Sequence, residues 1–327
     1  MSLNEPIKRA MICGISGQDG TYLAKHLINN GYEVFGTSRC IQNDSFQRLK
    51  SARLFSKIKF LEMSISDRDS VLSAVKIASP TEIYNLCGPS SVAYSFQNPA
   101  DSIESIALGT LYLLEAIREL NPNIRMYNAG SSECFGETAV MAACESTPFN
   151  PKSPYAIAKA TAFWEIKNFR ESYGIFACTG ILFNHESPLR TERFVTGKII
   201  SAARRIADGS QERLLLGNID IVRDWGWAPE YVTAMHLMMT QEKPDDYLIA
   251  TGESNSLRDF ISVSFEKYGL DWNEHIDIDQ SLLRPNDLLI SKGNPEKAKR
   301  YLGWQARYKM RDVIDLMTKS DLHPTQG

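Results

Sequence analysis

Three glycines, Gly14, Gly17 and Gly20, separate a short apolar run from a helical pattern, and this constrains the fold more than any other feature of the chain. Residues 8–14 (KRAMICG) read as a strand that ends in glycine. Residues 19–31 (DGTYLAKHLINNG) follow, with Tyr22, Leu23, His26 and Leu27 at helical spacing and Asn29-Asn30-Gly31 as the stop. YEVFGTS (32–38) reads as a second strand. Strand, helix, strand is the start of a parallel α/β sheet. In such a turn the first glycine permits the tight bend. The second lets backbone N–H groups approach a pyrophosphate, and the third lets helix and strand pack closely. Gly14, Gly17, Gln18, Asp19 and Gly20 are therefore the candidate phosphate loop. The plainer alternative is an ordinary βα turn, and its place after the first strand argues against that.

The alternation continues. Strands are expected at 57–63, 81–87, 124–130 and 175–183, and helices at 68–78, 101–119 and 154–173. Several of these strands are apolar almost throughout, as strands covered on both faces must be. After residue 184 the rhythm breaks into polar loops, a helix over 195–208, short strands, and a further strand–helix pair near 246–268. The expected fold is a Rossmann-type, doubly wound parallel sheet with a smaller C-terminal substrate-binding lobe. Residues 1–184 would form the dinucleotide-binding domain, with returns near 228–250. Residues 185–327 would form the second lobe, interleaved with the first.

Composition narrows the function classes. The 327 residues carry 36 Lys and Arg against 39 Asp and Glu, a net charge of −3, so the chain has no general attraction for nucleic acid. No apolar run approaches the ~18–20 residues of a membrane span. The N-terminal stretch lacks the layout of a secretory signal. A soluble cytoplasmic protein is the expectation. The six cysteines contain no C-x-x-C pair and read as reduced thiols. The five histidines are scattered, with no metal-ligand spacing, so no metal site is expected.

The chemistry lies at the strand ends. The second strand closes on Gly36-Thr37-Ser38-Arg39-Cys40, without the carboxylate that binds a ribose 2′-hydroxyl in an NAD site. Arg39 suits a 2′-phosphate, which favours NADP over NAD; the plainer reading of Arg39 is a solvated loop residue. Tyr155 and Lys159 form Y-x-x-x-K in an expected helix, and a spacing of four places them on one face. An ammonium near a phenol favours the phenolate, so Tyr155 would exchange a proton near neutral pH. Ser131 stands at a strand's carboxyl end, where it could hydrogen-bond a substrate hydroxyl, and Glu133 adds a carboxylate two residues on.

Together these residues resemble the nucleotide-sugar branch of the extended short-chain dehydrogenase/reductases. The resemblance is closest to the GDP-mannose 4,6-dehydratase family and runs nearly the whole chain. It is carried by GISGQDGTYLAKHL (14–27), SSECFGE (131–137), PFNPKSPYAIAKA (148–160), GILFNHESPLR (180–190), RDWGWAPEYVTAM (223–235), RPNDLLISKGNPEKA (284–298) and LGW (302–304). It implies conversion of GDP-mannose to GDP-4-keto-6-deoxymannose by internal hydride transfer and loss of water. Ser131 would bond the sugar O4, Tyr155 would deprotonate it, and Lys159 would hold the ribose and tune Tyr155. Glu133 would take the C5 proton and assist loss of the C6 hydroxyl. Leu86 and His185 would join Gly14, Gly17, Gln18, Asp19, Gly20, Arg39, Tyr155 and Lys159 around NADP. Ser90, Asn184, Val195, Lys198, Leu216, Gly217, Arg223, Arg284 and Asp287 would line the GDP-sugar. A homo-oligomer, dimer or tetramer, is implied as well.

The chain departs from the family pattern at several places. Cys87-Gly88-Pro89-Ser90-Ser91 stands where the family typically reads Ala-Ala-Gln-Ser. Ser64 replaces an Asp, Cys40 and Ile41 replace Arg and Ser, and Arg190–Arg193 with Gly197 alter a loop used in family tetramers. Two other readings stay open from the residues alone. One is a dehydratase, 4-epimerase or reductase acting on a related GDP-sugar; Glu133 speaks against the epimerase, which typically has alanine there. The other is an inactive cofactor-binding paralogue, against which the intact Ser131, Glu133, Tyr155 and Lys159 argue.

Overall fold

The structure, a computed structural model, describes residues 7–41 and 46–319. Its strands are β1 (Arg9–Cys13), β2 (Glu33–Ser38), β3 (Lys59–Glu62), β4 (Glu82–Asn85), β5 (Arg125–Ser131), β6 (Ala177–Leu182), β7 (Asn184–Glu186), β8 (Leu214–Leu216), β9 (Val222–Trp227), β10 (Tyr247–Ile249), β11 (Ser254–Ser256) and β12 (Ile276–Ile278). Its helices are α1 (Gln18–Asn29), α2 (Gln47–Ser51), α3 (Arg68–Ala78), α4 (Val92–Gln97), α5 (Pro99–Ser102), α6 (Gly109–Leu120), α7 (Pro154–Tyr173), α8 (Val195–Ala207), α9 (Ala228–Met239), α10 (Leu257–Glu266), α11 (Glu296–Leu302) and α12 (Met310–Thr318).

The chain divides into two compact units. The first takes the residues up to Ser131, then Ser153–Ile181 and Val232–Tyr247. The second takes Ser132–Lys152, Leu182–Tyr231 and the chain from Leu248 onward. The excursion 132–152 thus clusters with the second unit, where the sequence reading ran the first domain unbroken to 184.

The first unit carries most of a seven-stranded sheet of order β10-β6-β5-β4-β1-β2-β3, with only Tyr247 of β10. β1 pairs in parallel with β2 on one side and β4 on the other, with Cys13 opposite Thr37 and Asn85. The chain runs from β1 outward to β2 and β3, then crosses back to β4. The carboxyl ends of β1 and β4 therefore flank a topological switch point, where open α/β sheets take their ligands. Met11, Val71, Val75, Ile83, Leu113, Leu114, Ile117, Met126 and Ile166 form one buried cluster from the sheet with α3, α6 and α7.

Two local features follow from side-chain chemistry. α7 has Ser153 as its N-cap, accepting from the Ala156 N–H at 3.1 Å, with Pro154 at its first turn and Gly174 (φ +66°) closing it. The helix expected over 101–119 is instead interrupted by a π-helical turn, Ile103–Leu108, between α5 and α6. Ser105 and Thr110 hydroxyls donate to the Asp101 and Ile106 carbonyls at 2.5 and 2.7 Å, bonds that compete with regular helix geometry.

A buried ion pair fixes the outer strand. Arg170 of α7 donates to both Asp246 carboxylate oxygens, at 3.0 and 2.7 Å, and Asp246 also accepts from the Thr179 N–H at 2.8 Å. Asp246→Ala would leave a largely buried guanidinium without its counter-ion, bonded still to the Ala177 carbonyl, and would remove the acceptor of the Thr179 N–H. The expected loss is about 3 kcal/mol, measured as a lower urea midpoint; an unchanged midpoint would contradict this account.

The second unit contains the sheet β11-β9-β7 and the pair β12-β8. β11 runs antiparallel to β9, and β7 and β12 run parallel to their partners. α8, α10 and α12 bury Ile199, Ile200, Phe260, Ile261, Val313 and Ile314 around Trp225.

Candidate active site

The glycine loop after β1 has the shape its sequence demands. Gly14 has φ +88°, and a Cβ there would lie 2.8 Å from the Leu86 carbonyl oxygen. A Cβ on Gly20 would lie 2.5 Å from the Gly14 oxygen, so both positions exclude a side chain. The Gly17 N–H donates to the Gly14 carbonyl at 3.1 Å. Gly17 caps α1 without a side-chain acceptor, so the first N–H groups of the helix and its dipole are presented to an anion. This bare cradle fits the pyrophosphate of a dinucleotide. Arg39 lies just past β2 and is exposed; residues 42–45 are outside the described residues.

Tyr155 and Lys159 lie on α7. Tyr155, Lys159 and Ser131 are all buried, at 8% exposure each. The Lys159 Nζ donates to the Ala129 carbonyl of β5 at 2.7 Å and stands 5.9 Å from the centre of the Tyr155 ring. The ammonium is thus tied to the strand that carries Ser131. Tyr155 packs with Ile106, Ala158 and Ala162, so the π-helical turn supports its ring. Behind this group a buried amide network joins the sheet to α6: Asn85 Nδ2 donates to Thr110 Oγ1 at 3.0 Å and to Asn128 Oδ1 at 3.2 Å.

The second unit holds Glu133 in a 3₁₀ turn, Ser132–Phe135. Burial raises the Glu133 carboxyl above the usual carboxylate range; Arg223 and Arg284 oppose this, and Asp287 adds to it. Arg284 reaches Asp287 at 3.5 Å. Arg223 is buried, and its guanidinium is turned to backbone carbonyls, at 2.9 Å to Val222 and 2.7 Å to Leu288, with Asp287 at 3.5 Å. The neighbouring Asp224 is engaged elsewhere. Asp224 is fully buried and accepts instead from the Thr251 and Gly252 N–H groups at 2.9 and 2.8 Å. Burial, the dominant cause, pushes its carboxyl up to about 6.

The remaining expected positions divide between the units. Leu86 and Ser90 follow β4, half-buried and exposed respectively. Asn184 and His185 lie on β7. His185 is buried, stacked on Tyr231 at 4.5 Å, with Nδ1 2.7 Å from the Phe183 carbonyl oxygen. Val195 opens α8, and Lys198 on that helix donates to the Leu215 carbonyl at 2.8 Å, which ties it to β8, the strand that ends at Leu216 just before Gly217.

Sequence reasoning missed several residues. Arg48 of α2 donates from Nη1 to the Ser16 carbonyl at 3.0 Å, which places a cation beside the glycine loop. Its signal was an arginine soon after the second strand. A cavity of about 400 Å³ in the second unit is lined by Gly217, Asn218, Asp220, Arg258, Trp272 and Leu283 among others. Arg258 pairs with Asp220 at 2.8 Å and lies 5.6 Å from the centre of the Trp272 ring. Among the described residues no helix is long and apolar enough to cross a membrane, and no group of three or more His, Cys, Asp or Glu side chains is placed to hold a metal ion.

A family model described as GDP-mannose 4,6 dehydratase matches residues 11–317. The chain is 44% identical to GDP-mannose 4,6 dehydratase 1 of Arabidopsis thaliana, over 97% of this chain and 91% of that protein. It is 40% identical to GDP-mannose 4,6-dehydratase of Sinorhizobium fredii, over 98% of each. Among solved structures it is similar to UDP-glucose 4-epimerase from Thermotoga maritima with UDP-glucose, at TM-score 0.84 and 22% identity, covering 95% of this chain and 97% of that one. It is also similar to dTDP-glucose 4,6-dehydratase from Bacillus anthracis in complex with NAD, at TM-score 0.83 and 17% identity, covering 95% and 96%. At these identities the structural likeness establishes the Rossmann-type fold.

Proposed function

The chain belongs to the GDP-mannose 4,6-dehydratase family, and on that premise we propose that it converts GDP-mannose to GDP-4-keto-6-deoxymannose with NADP as its resident cofactor. The observation that carries this reading is the Tyr155–Lys159 pair on α7, with Lys159 bonded to the β5 strand that ends in Ser131, and Glu133 two residues on. Incubating the purified protein with GDP-mannose tests it directly. A 4-keto, 6-deoxy product is expected, and unchanged GDP-mannose would defeat it.

Each residue's part follows from its chemistry. Ser131 orients the sugar O4 by hydrogen bonding. Tyr155 takes the O4 proton, helped by the Lys159 ammonium, which favours the phenolate. The nicotinamide, when bound, supplies the hydride acceptor and donor that link C4 to C6. With C4 a ketone, the C5–H is acidic enough for a carboxylate, and water leaves from the β carbon. Glu133 takes that proton, and burial tunes it toward the working pH. Arg284 and Lys198 serve the diphosphate and ribose end with Asn184 and Asp287, and Arg223 anchors their loop through its carbonyl contacts. Ser90 would join the sugar end, and Val195, Leu216 and Gly217 would border the guanine. A cytoplasmic homo-oligomer, dimer or tetramer, completes the proposal.

The choice of NADP is supported by Arg39 at the end of β2 and by Arg48 beside the glycine loop, with no carboxylate at the strand end. Cofactor-stripped protein should bind NADP more tightly than NAD by calorimetry. Arg39→Ala should weaken NADP binding about tenfold or more and leave NAD binding unchanged, as expected for a lost charge-assisted phosphate contact. Equal affinity for both cofactors in the unaltered protein would remove the 2′-phosphate argument.

A further inference from the structure

We propose that Cys13 and Cys87 are an oxidation site, forming a reversible disulfide on exposure to a hydroperoxide that closes the cofactor crevice from its floor. This goes beyond the dehydratase reading, because the pair takes no part in that reaction; its effect on affinity rests on the proposed cofactor loop.

The two thiols are brought together by strand register. Cys13 is the last residue of β1 and has 0% exposure. It lies opposite Asn85 of β4, and the Leu86 N–H donates to its carbonyl at 3.0 Å. Cys87 follows two residues after Asn85. Alternate residues along an extended segment share a face, which returns the Cys87 side chain to the side of the sheet that Cys13 occupies. Cys13 belongs to the main apolar cluster of this unit, and Cys87 packs against that cluster, half-buried. Of the neighbouring side chains, Cys87 does most to raise the Cys13 thiol. The backbones that carry them touch as well: a Cβ on Gly14 would lie 2.8 Å from the Leu86 oxygen and 3.3 Å from the Cys87 nitrogen. A cross-link would draw the two Cα atoms to the ~4.4–6.8 Å separation that a disulfide takes.

The chemistry balances with the peroxide as oxidant. Cys87, the more accessible sulfur, attacks the peroxide oxygen. The O–O bond breaks, giving a sulfenic acid on Cys87 and one alcohol or water. The Cys13 sulfur then attacks the Cys87 sulfur, forming S–S as the S–O bond breaks, and hydroxide leaves with the Cys13 proton as water. Two thiols lose two electrons in all, and the peroxide gains them. The neighbouring Cys87, and then burial, raise the Cys13 thiol well above its ordinary range, so the second step is the slow one. A dithiol reverses the sequence. Disulfides of this transient kind are the ones found in reducing compartments.

The bond would join the ends of β1 and β4, the two strands that flank the switch point. On one side it precedes Gly14 and the phosphate loop. On the other it precedes Gly88, where a Cβ would lie 2.5 Å from Ile106 Cγ1, and Ile106 packs on Tyr155. Any shift of Cys87 toward Cys13 therefore moves the support of the catalytic tyrosine together with the phosphate loop.

The test uses the full chain, stripped of cofactor. After hydrogen peroxide treatment, alkylation and proteolysis, mass spectrometry should find the Cys13 and Cys87 peptides joined, lighter by two hydrogens than the separate thiol peptides, and separated again by dithiothreitol. Calorimetry on the same samples should show NADP affinity falling at least about tenfold on oxidation and recovering on reduction. Cys87→Ala should give no linked peptide and a peroxide-insensitive affinity. Oxidation of Cys40 or Cys144 with Cys13 and Cys87 still alkylated would overturn the proposal, as would a linked pair with unchanged affinity. Should the untreated protein fail to bind either dinucleotide, the cofactor reading falls and the proposed closure of the crevice falls with it; the linked peptide would still report on the cysteine pair by itself.

Discussion

Tyr155→Phe should lower kcat at least about 100-fold while leaving NADP affinity within about threefold of the unaltered protein. The substitution removes one oxygen from a ring whose packing against Ile106, Ala158 and Ala162 is otherwise kept. α7 should persist, because its start is set by Ser153 and Pro154 and its end by Gly174, none of which involves the phenol. The dinucleotide cradle should persist too, since it is made of backbone at Gly14, Gly17 and Gly20. What is lost is the group that takes the O4 proton. Lys159 cannot replace it: its Nζ is held on the Ala129 carbonyl, and an ammonium has no lone pair to accept a proton. Steady-state turnover of GDP-mannose and calorimetric titration measure the two quantities. A kcat above a tenth of the original, less than ~1.4 kcal/mol of lost barrier stabilisation, would remove Tyr155 from the proton chemistry. A large loss of NADP affinity would instead show that the phenol serves binding.

The parts of this site legible in the sequence are those where one residue's covalent nature dictates the local backbone. Gly14 and Gly20 announce a turn that no side chain fits, and Ser153-Pro154 with Gly174 mark both ends of α7. The alternation of apolar strands and helices likewise fixes a parallel sheet with its switch point between β1 and β4. The π-helical turn at Ile103–Leu108 was not legible, because its hydroxyl-to-carbonyl bonds use the same serine and threonine types that sit harmlessly in other helices. Nor was the environment of Arg223. Arg223 lies on β9, and its type suits a phosphate, but its bonds to the Val222 and Leu288 carbonyls depend on a partner 65 positions away in the case of Leu288. Arg48 escaped notice for the same reason in reverse: its contact with Ser16 crosses 32 residues, and nothing local marks it. Pattern carries short-range constraint well and long-range pairing poorly.

Glu133→Gln should abolish water elimination while sparing the first half of the reaction, and this outcome separates a dehydratase from an epimerase. Glutamine keeps the shape and the hydrogen-bonding capacity of the side chain but cannot accept a proton at any working pH. Oxidation at C4 calls only on Tyr155, Lys159, Ser131 and the cofactor, so it should survive, perceptibly slowed. Absorbance of reduced nicotinamide should then build up on the NADP-loaded variant after GDP-mannose is added, with no 6-deoxy product. Solvent deuterium should enter C5 at least about 100-fold more slowly than in the unaltered protein, the usual scale of a lost general base. The pH dependence supplies an independent check. Burial raises the Glu133 carboxyl, so its base form is lost as pH falls through a value above the ordinary carboxylate range. The acid limb of kcat in the unaltered protein should therefore lie higher than an exposed glutamate would place it, and the residual rate of Glu133→Gln should show no such limb. If the variant still eliminates water at near the original rate, the carboxylate is structural, and the C5 proton must be taken by another group.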